Sequence, residues 1–357
     1  MSPRLVVDAT TATHAPGGIR TVTRGFLDGA ARLPAAPDIQ VLCAPDLQVP
    51  APLEARRLAI ARSRPGRLAL QRLLLPFLAR HQRLLLLDTS MAPLGLRGTR
   101  TACFVHDLLP LEHPEYWRGA PVLVKRAAYE AVRRRRPVVF TSSAHNAERI
   151  RARLDLPAHV AHFGCGALTD LEAEVALACP PPPDRRARIV YVGALEPRKD
   201  LLTLLRAFGR AAGALDGVEL VLIGAAHEAT RATLAEWRRR APGASRRVRW
   251  TGHAPRHTVI EAMSTASAVV YPSHAEGFGL PVLEALALGT PVIAADLPAI
   301  RSWAGDACTF AAPGDVEEWA AAICRVARGD RPPPSRGREL SSGYRWRSFA
   351  ATLIGRW

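Results

Sequence analysis

Short apolar runs alternate with longer amphipathic stretches over most of the chain. The early run RLVVDAT predicts a buried strand. The stretch APGGIRTVTRGFLDGAARL after it predicts a glycine turn and then a helix with Val22, Phe26 and Leu27 on one side. The same alternation continues through IQVLCAP, RLLLLD, TACFVHDLL, PVVFTSS and AHVAHFG. Strands that alternate with helices in this way predict a parallel sheet that is covered on both faces.

A run of four prolines interrupts the alternation at residues 180–183, and the pattern then restarts through RIVYVG, VELVLIG, RVRWTG, AVVYPS and PVIAAD. Proline lacks a backbone donor and holds the chain extended, so this run predicts a linker. We therefore predict an α/β protein with two Rossmann-like, doubly wound domains at residues 1–170 and 188–335, a Pro-rich linker at 171–187 and a tail at 336–357. Because ligands of such sheets bind beyond the carboxyl ends of the strands, we expect the site in the cleft between the domains.

The formal net charge of +16 is uneven, with +11 on residues 1–170 and +5 on residues 171–357. Arginines cluster at residues 56–67 and 133–136, and residues 66–80 are predicted to form a basic amphipathic helix. Such clusters suit an anionic partner, which would be a membrane surface, a nucleic acid or a phosphorylated substrate. The alternative is a solvated basic face in an arginine-rich protein.

Cysteine spacing and hydropathy exclude several other classes of protein. The six cysteines form no CxxC pair, and no histidine cluster accompanies them, so we expect neither a zinc site nor a disulfide framework. The start MSPRLVVDAT lacks the pattern of a signal peptide, and charged residues and a proline interrupt the most apolar stretch, at residues 68–87. We therefore expect a soluble, cytoplasmic protein, with peripheral attachment to the inner face of the membrane as the alternative.

The stretch HAEGFGLPVLEALALGTPVIAADL places Glu276 and Glu284 on either side of a glycine turn that follows the predicted strand AVVYPS. Gly277 and Gly279 let the backbone approach a ligand closely, and Pro281 suits the first turn of a helix. The amides at such a helix start favour phosphate. Carboxylates there can accept hydrogen bonds from pairs of sugar hydroxyls. The alternative is that both glutamates only cap the helix or face solvent.

Two basic residues, Arg198 and Lys199, follow another predicted strand and Gly193. Lysine is rare here, since only two of the 48 basic residues are lysines, which indicates that a compact charge is needed at this position. Cations at a strand end would neutralise a diphosphate. The alternative is a basic turn that faces solvent.

The first domain offers two looser candidates. Gly17 and Gly18 lie between the first predicted strand and helix, but they do not form GxGxxG, so they point to a ligand loop rather than to a dinucleotide fold. His106 and Asp107 end the strand in FVHDLLPLEHPEYW. A histidine at a strand end is as often structural as functional.

Together these segments resemble the retaining glycosyltransferases of the GT-B fold, specifically the family 4 group. The most specific element is E-x7-E, from Glu276 to Glu284; the other carrying segments are ALALGTPVI, VGALEPRKDLLTLLRAF, PGGIRT and VHDLLPLEHPEYW. The resemblance covers nearly the whole chain in order, and the first-domain motifs are the looser ones. It implies two domains that face each other across a cleft, and a last helix within 336–357 that crosses back to pack on the first domain.

The resemblance also implies roles for individual residues. Arg198 and Lys199 would hold the donor diphosphate and stabilise the leaving group, Glu284 would bind the ribose, and Glu276 would hold hydroxyls of the donor sugar. His106 would contact the transferred sugar. The residues assigned to catalysis are His106, Arg198, Lys199 and Glu276, and those assigned to the donor are Gly17, Gly18, Gly193, Gly277, Phe278, Gly279, Leu280 and Glu284.

The implied reaction moves a hexose from a nucleotide-diphosphate sugar to a glycan, lipid-linked or small-molecule acceptor. No metal and no cofactor are implied, because the cationic pair and the helix dipole would take the place of a metal. Retention would follow from attack on the same face as the leaving phosphate. The donor base, the sugar, the acceptor and the oligomeric state stay open.

Two positions depart from the pattern of the family. Asp200 stands where asparagine is common, which adds a negative charge near the expected phosphates, and Ser302 stands where glutamate is frequent. Two other functions also stay open. One is a nucleotide-sugar epimerase on the same fold. The other is a non-catalytic basic protein that binds nucleic acid, against which stand the aromatic content of only 6% and the lack of a helix-turn-helix pattern.

Overall fold

The two halves of the chain form separate units in the computed structural model, which describes residues 4–12, 17–34, 38–88, 100–116, 120–166, 168–179, 186–215 and 217–356. The first unit comprises Met1–Asp170 and Tyr344–Trp357, and the second comprises Leu171–Gly343. Within the described residues, each unit is built on one parallel sheet with flanking helices. The predicted α/β class with two doubly wound domains is confirmed.

The strands of the first unit are short and mostly buried. They are β1 (Leu5–Asp8), β2 (Ile39–Cys43), β3 (Glu54–Arg57), β4 (Arg83–Leu86), β5 (Arg100–Phe104), β6 (Val138–Thr141) and β7 (Ala158–Val160). Over the described residues they pair in the order β3-β2-β1-β4-β5-β6-β7. All four residues of β1 are buried, as expected for a central strand that is covered on both faces. The strand order reverses between β1 and β4, which makes that pair the switch point of this sheet.

Helices connect these strands and cover the sheet. They are α1 (Gly17–Ala31), α2 (Arg64–Ala69), α3 (Leu75–Leu78), α4 (Leu109–Glu112), α5 (Ala120–Arg135) and α6 (Ala144–Leu154). The predicted helix at residues 66–80 is therefore replaced by α2 and α3, which a π-helical turn at Leu70–Leu74 joins. A π turn adds one residue to the helical repeat and so changes which side chains face inward.

The second unit has the same architecture. Its described strands are β8 (Arg186–Val192), β9 (Glu219–Ile223), β10 (Val248–Gly252), β11 (Ala266–Tyr271), β12 (Val292–Ala295) and β13 (Thr309–Ala311), in the order β10-β9-β8-β11-β12-β13. Its helices are α7 (Asp170–Ala178), α8 (Leu201–Ala211), α9 (Glu228–Arg240), α10 (Pro242–Ser245), α11 (Arg256–Ser264), α12 (Leu280–Ala287), α13 (Pro298–Ala304), α14 (Val316–Ala327) and α15 (Pro334–Ser342). The order reverses between β8 and β11.

The predicted linker at residues 171–187 contains regular structure. Residues 171–178 lie in α7, whose sequence is rich in alanine, leucine and glutamate, and Glu172 of α7 pairs with Arg256 in the same unit. Strand β8 then begins at Arg186. The proline run at 180–183 lies outside the described residues.

The stretch predicted as a tail, residues 336–357, is divided between two helices that belong to different units. Helix α15 is part of the second unit, where Arg336 pairs with Asp306. The last helix, α16 (Trp346–Gly355), is part of the first unit, where the carboxylate of Asp170 accepts hydrogen bonds from the amides of Trp346 and Arg347 at 2.7 and 2.9 Å. The Trp346 ring lies where a Cβ on Gly25 would be, 2.2 Å away, so glycine is required there.

None of the helices in the described part of the chain is long and apolar enough to cross a membrane. Among the same residues, no group of three or more histidine, cysteine, aspartate or glutamate side chains could hold a metal ion.

Candidate active site

The switch point of the second sheet brings together two chain segments that lie about eighty residues apart in sequence. Strands β8 and β11 pair in parallel, with Ile189 opposite Ala268 and Val190 opposite Val269. Their carboxyl ends therefore meet at one edge of the sheet. The turn with Arg198 and Lys199 follows β8, and the turn with Glu276 follows β11, so the two sequence candidates become neighbours.

The turn after β8 has a defined backbone that fixes both cations. Gly193 has a φ of 147°, which side chains with a Cβ rarely adopt, and it ends the strand. Residues Pro197–Lys199 form a 3₁₀ turn. Asp200 follows in the left-handed region with a φ of 46°, and its carboxylate accepts a hydrogen bond from the amide of Thr203 at 3.3 Å, which caps α8.

The carboxylate of Glu276 is the centre of the cluster. Its Oε1 accepts hydrogen bonds from Lys199 Nζ and from Arg198 Nη1, the latter at 3.2 Å. Lys199 and Glu276 are both buried. Arg198 Nη1 also donates to the carbonyl oxygen of Ala275 at 3.1 Å, and Nε donates to Glu196 at the same distance. Two cations thus converge on a single carboxylate oxygen.

The electrostatics of the cluster follow from this arrangement. Burial alone would raise the pKa of Glu276, but the positive charges of Lys199 and Arg198 outweigh it and lower the pKa to about 2. Burial lowers the pKa of Lys199, and Arg198 lowers it further, while Glu276 opposes both effects. The two cations keep the Glu276 carboxylate ionised. One negative charge, however, cannot balance both Arg198 and Lys199. The arrangement favours a further anion beside the cations.

A tyrosine contacts Lys199, and another tyrosine supports the turn after β8. The hydroxyl of Tyr271, the last residue of β11, accepts a hydrogen bond from Lys199 Nζ at 2.6 Å, and Nζ lies 4.5 Å from the centre of the Tyr271 ring. The Tyr191 hydroxyl donates to the carbonyl oxygen of Ala194 at 2.9 Å, within the turn after β8. The contacts with Tyr271 hold the ammonium group in place.

Trp303, a residue that the sequence analysis missed, packs against the glycine turn before α12 and hydrogen-bonds to it. Gly279 has a φ of 91° and begins the helix, which no side chain caps. The ring of Phe278 stacks on Trp303 with centroids 4.7 Å apart, and Trp303 Nε1 donates to the Phe278 carbonyl at 2.9 Å. Trp303 adjoins Ser302, the position noted as a departure from the family. The turn from Gly277 to Leu280 is therefore a supported backbone rather than a loose loop.

Glu284 lies in α12, just past its first turn, and its side chain is buried. A buried glutamate next to the strand ends fits the expectation that it does more than face solvent. Its assignment to a ribose stays a prediction.

A second polar contact links the two turns, and it too was missed. His274 Nε2 lies 3.2 Å from Asp200 Oδ2, and the His274 amide donates to the Arg198 carbonyl at 2.8 Å. Residue 274 therefore joins the β11 turn to the β8 turn through both its side chain and its backbone. The Asp200 carboxylate therefore contacts a histidine. The sequence alone could not reveal this contact, because the two residues lie far apart along the chain.

The candidates in the first unit have different surroundings. His106 follows β5, and its Nε2 lies 2.8 Å from the carbonyl oxygen of Leu87, which fixes the ring and leaves Nδ1 as its other polar atom. Its ring also packs on Phe104 at 5.0 Å. Gly17 and Gly18 are the first residues of α1, and a Cβ on either would meet no atom of the described residues within 4 Å. Protein packing therefore does not require glycine at these two positions.

Comparison with known proteins gives a family match for part of the chain. Residues 186–328 match the model of the family described as glycosyl transferases group 1. The chain is 27% identical over 183 residues to the O-antigen chain mannosyltransferase B of Escherichia coli, an alignment that covers 46% of this chain and 44% of that protein. The chain thus spans less than half the length of the curated relatives it matches.

Solved structures resemble the chain over its whole length. Sucrose-phosphate synthase from Thermosynechococcus elongatus has a TM-score of 0.74 at 18% identity and covers 99% of this chain and 97% of its own. Anabaena Alr3699/HepE in complex with UDP-glucose has a TM-score of 0.70 at 16% identity, with 98% of each chain covered. At such identities the likeness shows the fold. Residues 186–328 are therefore similar to the glycosyl transferases group 1 family, and the chain has the GT-B fold.

Proposed function

We propose that the chain is a retaining, metal-independent glycosyltransferase that moves a hexose, of the mannose type or a related one, from a nucleotide-diphosphate sugar to a glycan, lipid-linked or small-molecule acceptor. The observation that carries the proposal is the convergence of Arg198 and Lys199 on one oxygen of Glu276 at the switch point of the second sheet. Ligands of doubly wound sheets bind at this point.

The supported helix start and the cation pair suit a diphosphate. The turn from Gly277 to Leu280 ends at the start of α12, whose dipole and terminal amides attract anions. Arg198 and Lys199 supply the positive charge that a metal would otherwise supply. We assign Gly193 to the same phosphate contact, because it lies in the turn that carries these cations and has a backbone conformation that favours glycine.

Carboxylates on either side would hold the two sugars. Both cations contact Oε1 of Glu276, so we assign Oε2 to the hydroxyls of the transferred hexose. We assign Glu284 to the ribose, because a buried carboxylate in α12 can accept hydrogen bonds from a pair of hydroxyls. The hexose class is supported by the name of the Escherichia coli mannosyltransferase and by the UDP-glucose in the Anabaena structure.

The reaction would proceed mainly through positioning and electrostatics. The bond between the anomeric carbon and the phosphate oxygen breaks as an acceptor hydroxyl forms a new bond on the same face. The hydroxyl proton passes to the departing phosphate oxygen, and the nucleoside diphosphate leaves with its charge stabilised by Arg198 and Lys199. His106, together with Gly17 and Gly18, would contact the donor or the acceptor from the first unit.

The test is an assay of purified protein with labelled UDP-, GDP- and dTDP-sugars, with and without a mixture of glycan and lipid-linked acceptors, in the presence of EDTA. We expect label to enter an acceptor product, with the α or β configuration of the donor kept, as read by NMR. A labelled sugar that changes only its own configuration, without any acceptor, would instead establish the epimerase. Transfer that EDTA abolishes would contradict metal independence.

A thermal-shift screen against UDP, GDP, dTDP and their sugars identifies the nucleotide independently of the acceptor. A ligand at 100 times its dissociation constant raises the free energy of unfolding by about 2.7 kcal/mol. If no nucleotide or nucleotide sugar shifts the melting temperature, the proposed donor site is wrong.

A further inference from the structure

Large apolar side chains are exposed in one part of the first unit. Of the seven exposed large hydrophobic residues in the described part of the chain, four lie between residues 60 and 77. We call them the apolar patch: Ile60, Leu73, Leu74 and Phe77, with 41%, 65%, 44% and 75% of their surface exposed. Single exposed apolar residues are ordinary, but a group of four in one segment indicates a surface that meets something apolar.

The segment is held to the unit by its inner face, so the outward position of the patch is fixed. Leu70 and Leu75 are buried in the core. Gln71 is also buried, and its Nε2 donates to Asp8 Oδ2 at 2.6 Å, at the end of the central strand β1. The π-helical turn at Leu70–Leu74 includes Gln71. The buried side chains of Leu70, Gln71 and Leu75 therefore fix one side of the segment. The exposed residues Leu73, Leu74 and Phe77 lie on its other side.

The charge around the apolar patch has one sign. From residue 55 to residue 87 the sequence contains eight arginines and no aspartate or glutamate. Arg56, Arg62 and Arg80 are exposed. In the part of the chain that the structure describes, neither Arg62 nor Arg80 forms an ion pair. Their guanidinium groups are available to an anionic partner.

A second exposed apolar pair lies in a sequence of opposite charge. Leu171 and Val175, one helical turn apart on α7, are 59% and 55% exposed. The sequence around them, DLEAEVALA, contains three acidic residues and no basic one. Apolar exposure occurs at both places, but only the first unit adds positive charge to it.

We propose that the apolar patch and its arginines form the surface by which the chain docks on an anionic lipid bilayer. Phe77 and the two leucines enter the boundary between headgroups and acyl chains, and the arginines contact the phosphates. A bilayer offers an apolar layer beneath a negative surface, and this surface presents the complement of both. A nucleic acid would use the arginines but would leave the leucines and Phe77 in water.

The test measures sedimentation of the purified protein with vesicles of phosphatidylcholine, alone or with about one third phosphatidylglycerol. We expect binding only to the anionic vesicles, with part of it surviving about 1 M salt, where the Debye length is about 3 Å. The variant L73S/F77S should lose the salt-resistant part and bind at least about tenfold more weakly. The variant R56Q/R62Q/R80Q should lose the salt-sensitive part.

Matched controls separate this surface from general effects of composition. The variant L171S/V175S removes an equally exposed apolar pair, and R238Q/R239Q/R246Q removes three exposed arginines of the second unit. Both should bind the vesicles as the wild type does. Thermal melts of all variants establish that each is folded before its binding is compared.

Three outcomes would overturn the proposal. They are equal binding to neutral and anionic vesicles, wild-type binding by L73S/F77S, and a wild-type dimer that L73S/F77S converts to a monomer in sedimentation equilibrium. The last would assign the apolar patch to a contact between two copies of the chain. Vesicle binding needs neither donor nor acceptor, so its failure would leave the proposed transfer reaction untouched.

Discussion

The strand ends of the two sheets differ in what their polar side chains contact. In the second unit, Lys199 and Arg198 after β8 bind Glu276 after β11, so side chains from neighbouring strands bind one another. In the first unit, His106 after β5 contacts a backbone carbonyl, and Gly17 and Gly18 at the start of α1 lack side chains. The candidate residues of the second unit thus form an assembled cluster of charges, whereas those of the first unit do not contact one another in the described residues. In the proposed function, such preassembly suits electrostatic stabilisation of a diphosphate.

The largest effect that separates the two units should come from removing the buried ammonium. The variant K199M keeps the length of the side chain but loses its charge, so we expect kcat for transfer to fall about 10²- to 10³-fold and the nucleotide thermal shift to shrink. Lys125 is the other lysine of the chain, on α5 of the first unit, and K125M is the matched control. Full activity of K199M would contradict the assembled site.

Acid should weaken the same cluster through Glu276. A pKa lowered from the ordinary 4.5 to about 2 means that the folded chain binds this proton less tightly than the unfolded chain does. Glu276 therefore contributes stability above about pH 5, up to about 3 kcal/mol, and that contribution is lost as the pH falls toward 2. In denaturant unfolding, the free energy of unfolding of E276Q should fall less between about pH 5 and about pH 2 than that of the wild type. The variant E228Q, on the exposed side of α9, should follow the wild-type curve.

Loss of the carboxylate in α12 should affect the nucleotide more than the sugar. Hydrogen bonds to a charged group contribute about 1.5–3 kcal/mol, so E284A should weaken binding of the nucleoside diphosphate about 10- to 150-fold. E284Q should restore part of the affinity, because an amide oxygen still accepts hydrogen bonds. If E284A responds to the nucleotide as the wild type does, the ribose lies elsewhere.

Substitution of His106 in the first unit should leave binding of the donor nucleotide unchanged. This prediction tests the difference between the two units most directly. In H106A we expect kcat to fall about tenfold or more, because the proposed function places this side chain beside the transferred sugar. The thermal shift by the nucleoside diphosphate should stay at the wild-type value. Truncation also removes the contact with the Leu87 carbonyl, so H106N serves as the conservative variant. An equal loss of nucleotide binding in H106A would remove the distinction between the units.

The sequence predicted the elements well and their contacts poorly. Apolar runs indicated the strands that precede Arg198 and Glu276, because burial of a parallel strand leaves a continuous apolar signature. Periodicity cannot give the order of strands in a sheet, however, so the pairing of β8 with β11 that brings these residues together is visible only in the structure. For the same reason Trp303 was missed: its partner Phe278 is close in space and distant in sequence.

The boundaries show a different limit. The linker predicted from the proline run was too long at both ends. Its first residues lie in α7 and its last residues lie in β8, because both elements have ordinary helix- and strand-forming sequences. The two helices of the tail pack in different units, and the ring of Trp346 in the last helix lies against Gly25 and Gly164 of the first unit. Shape complementarity of this kind has no periodic signature.

The smallest effect should come from Asp200, where the chain departs from the asparagine that is common in the family it resembles. D200N keeps an acceptor for the Thr203 amide and suits the left-handed backbone, so the free energy of unfolding should hardly change. It removes a negative charge next to Lys199, and a partly exposed pair such as Asp200 and His274 contributes at most about 1 kcal/mol. We therefore expect the nucleotide sugar to bind a few-fold more tightly, by less than about tenfold. The gain should shrink at high salt, where screening weakens the charge. The control is D46N, which changes an exposed aspartate of the first unit. Equal affinity of D200N and wild type for the nucleotide sugar at low salt would show that Asp200 does not affect binding of the donor phosphates.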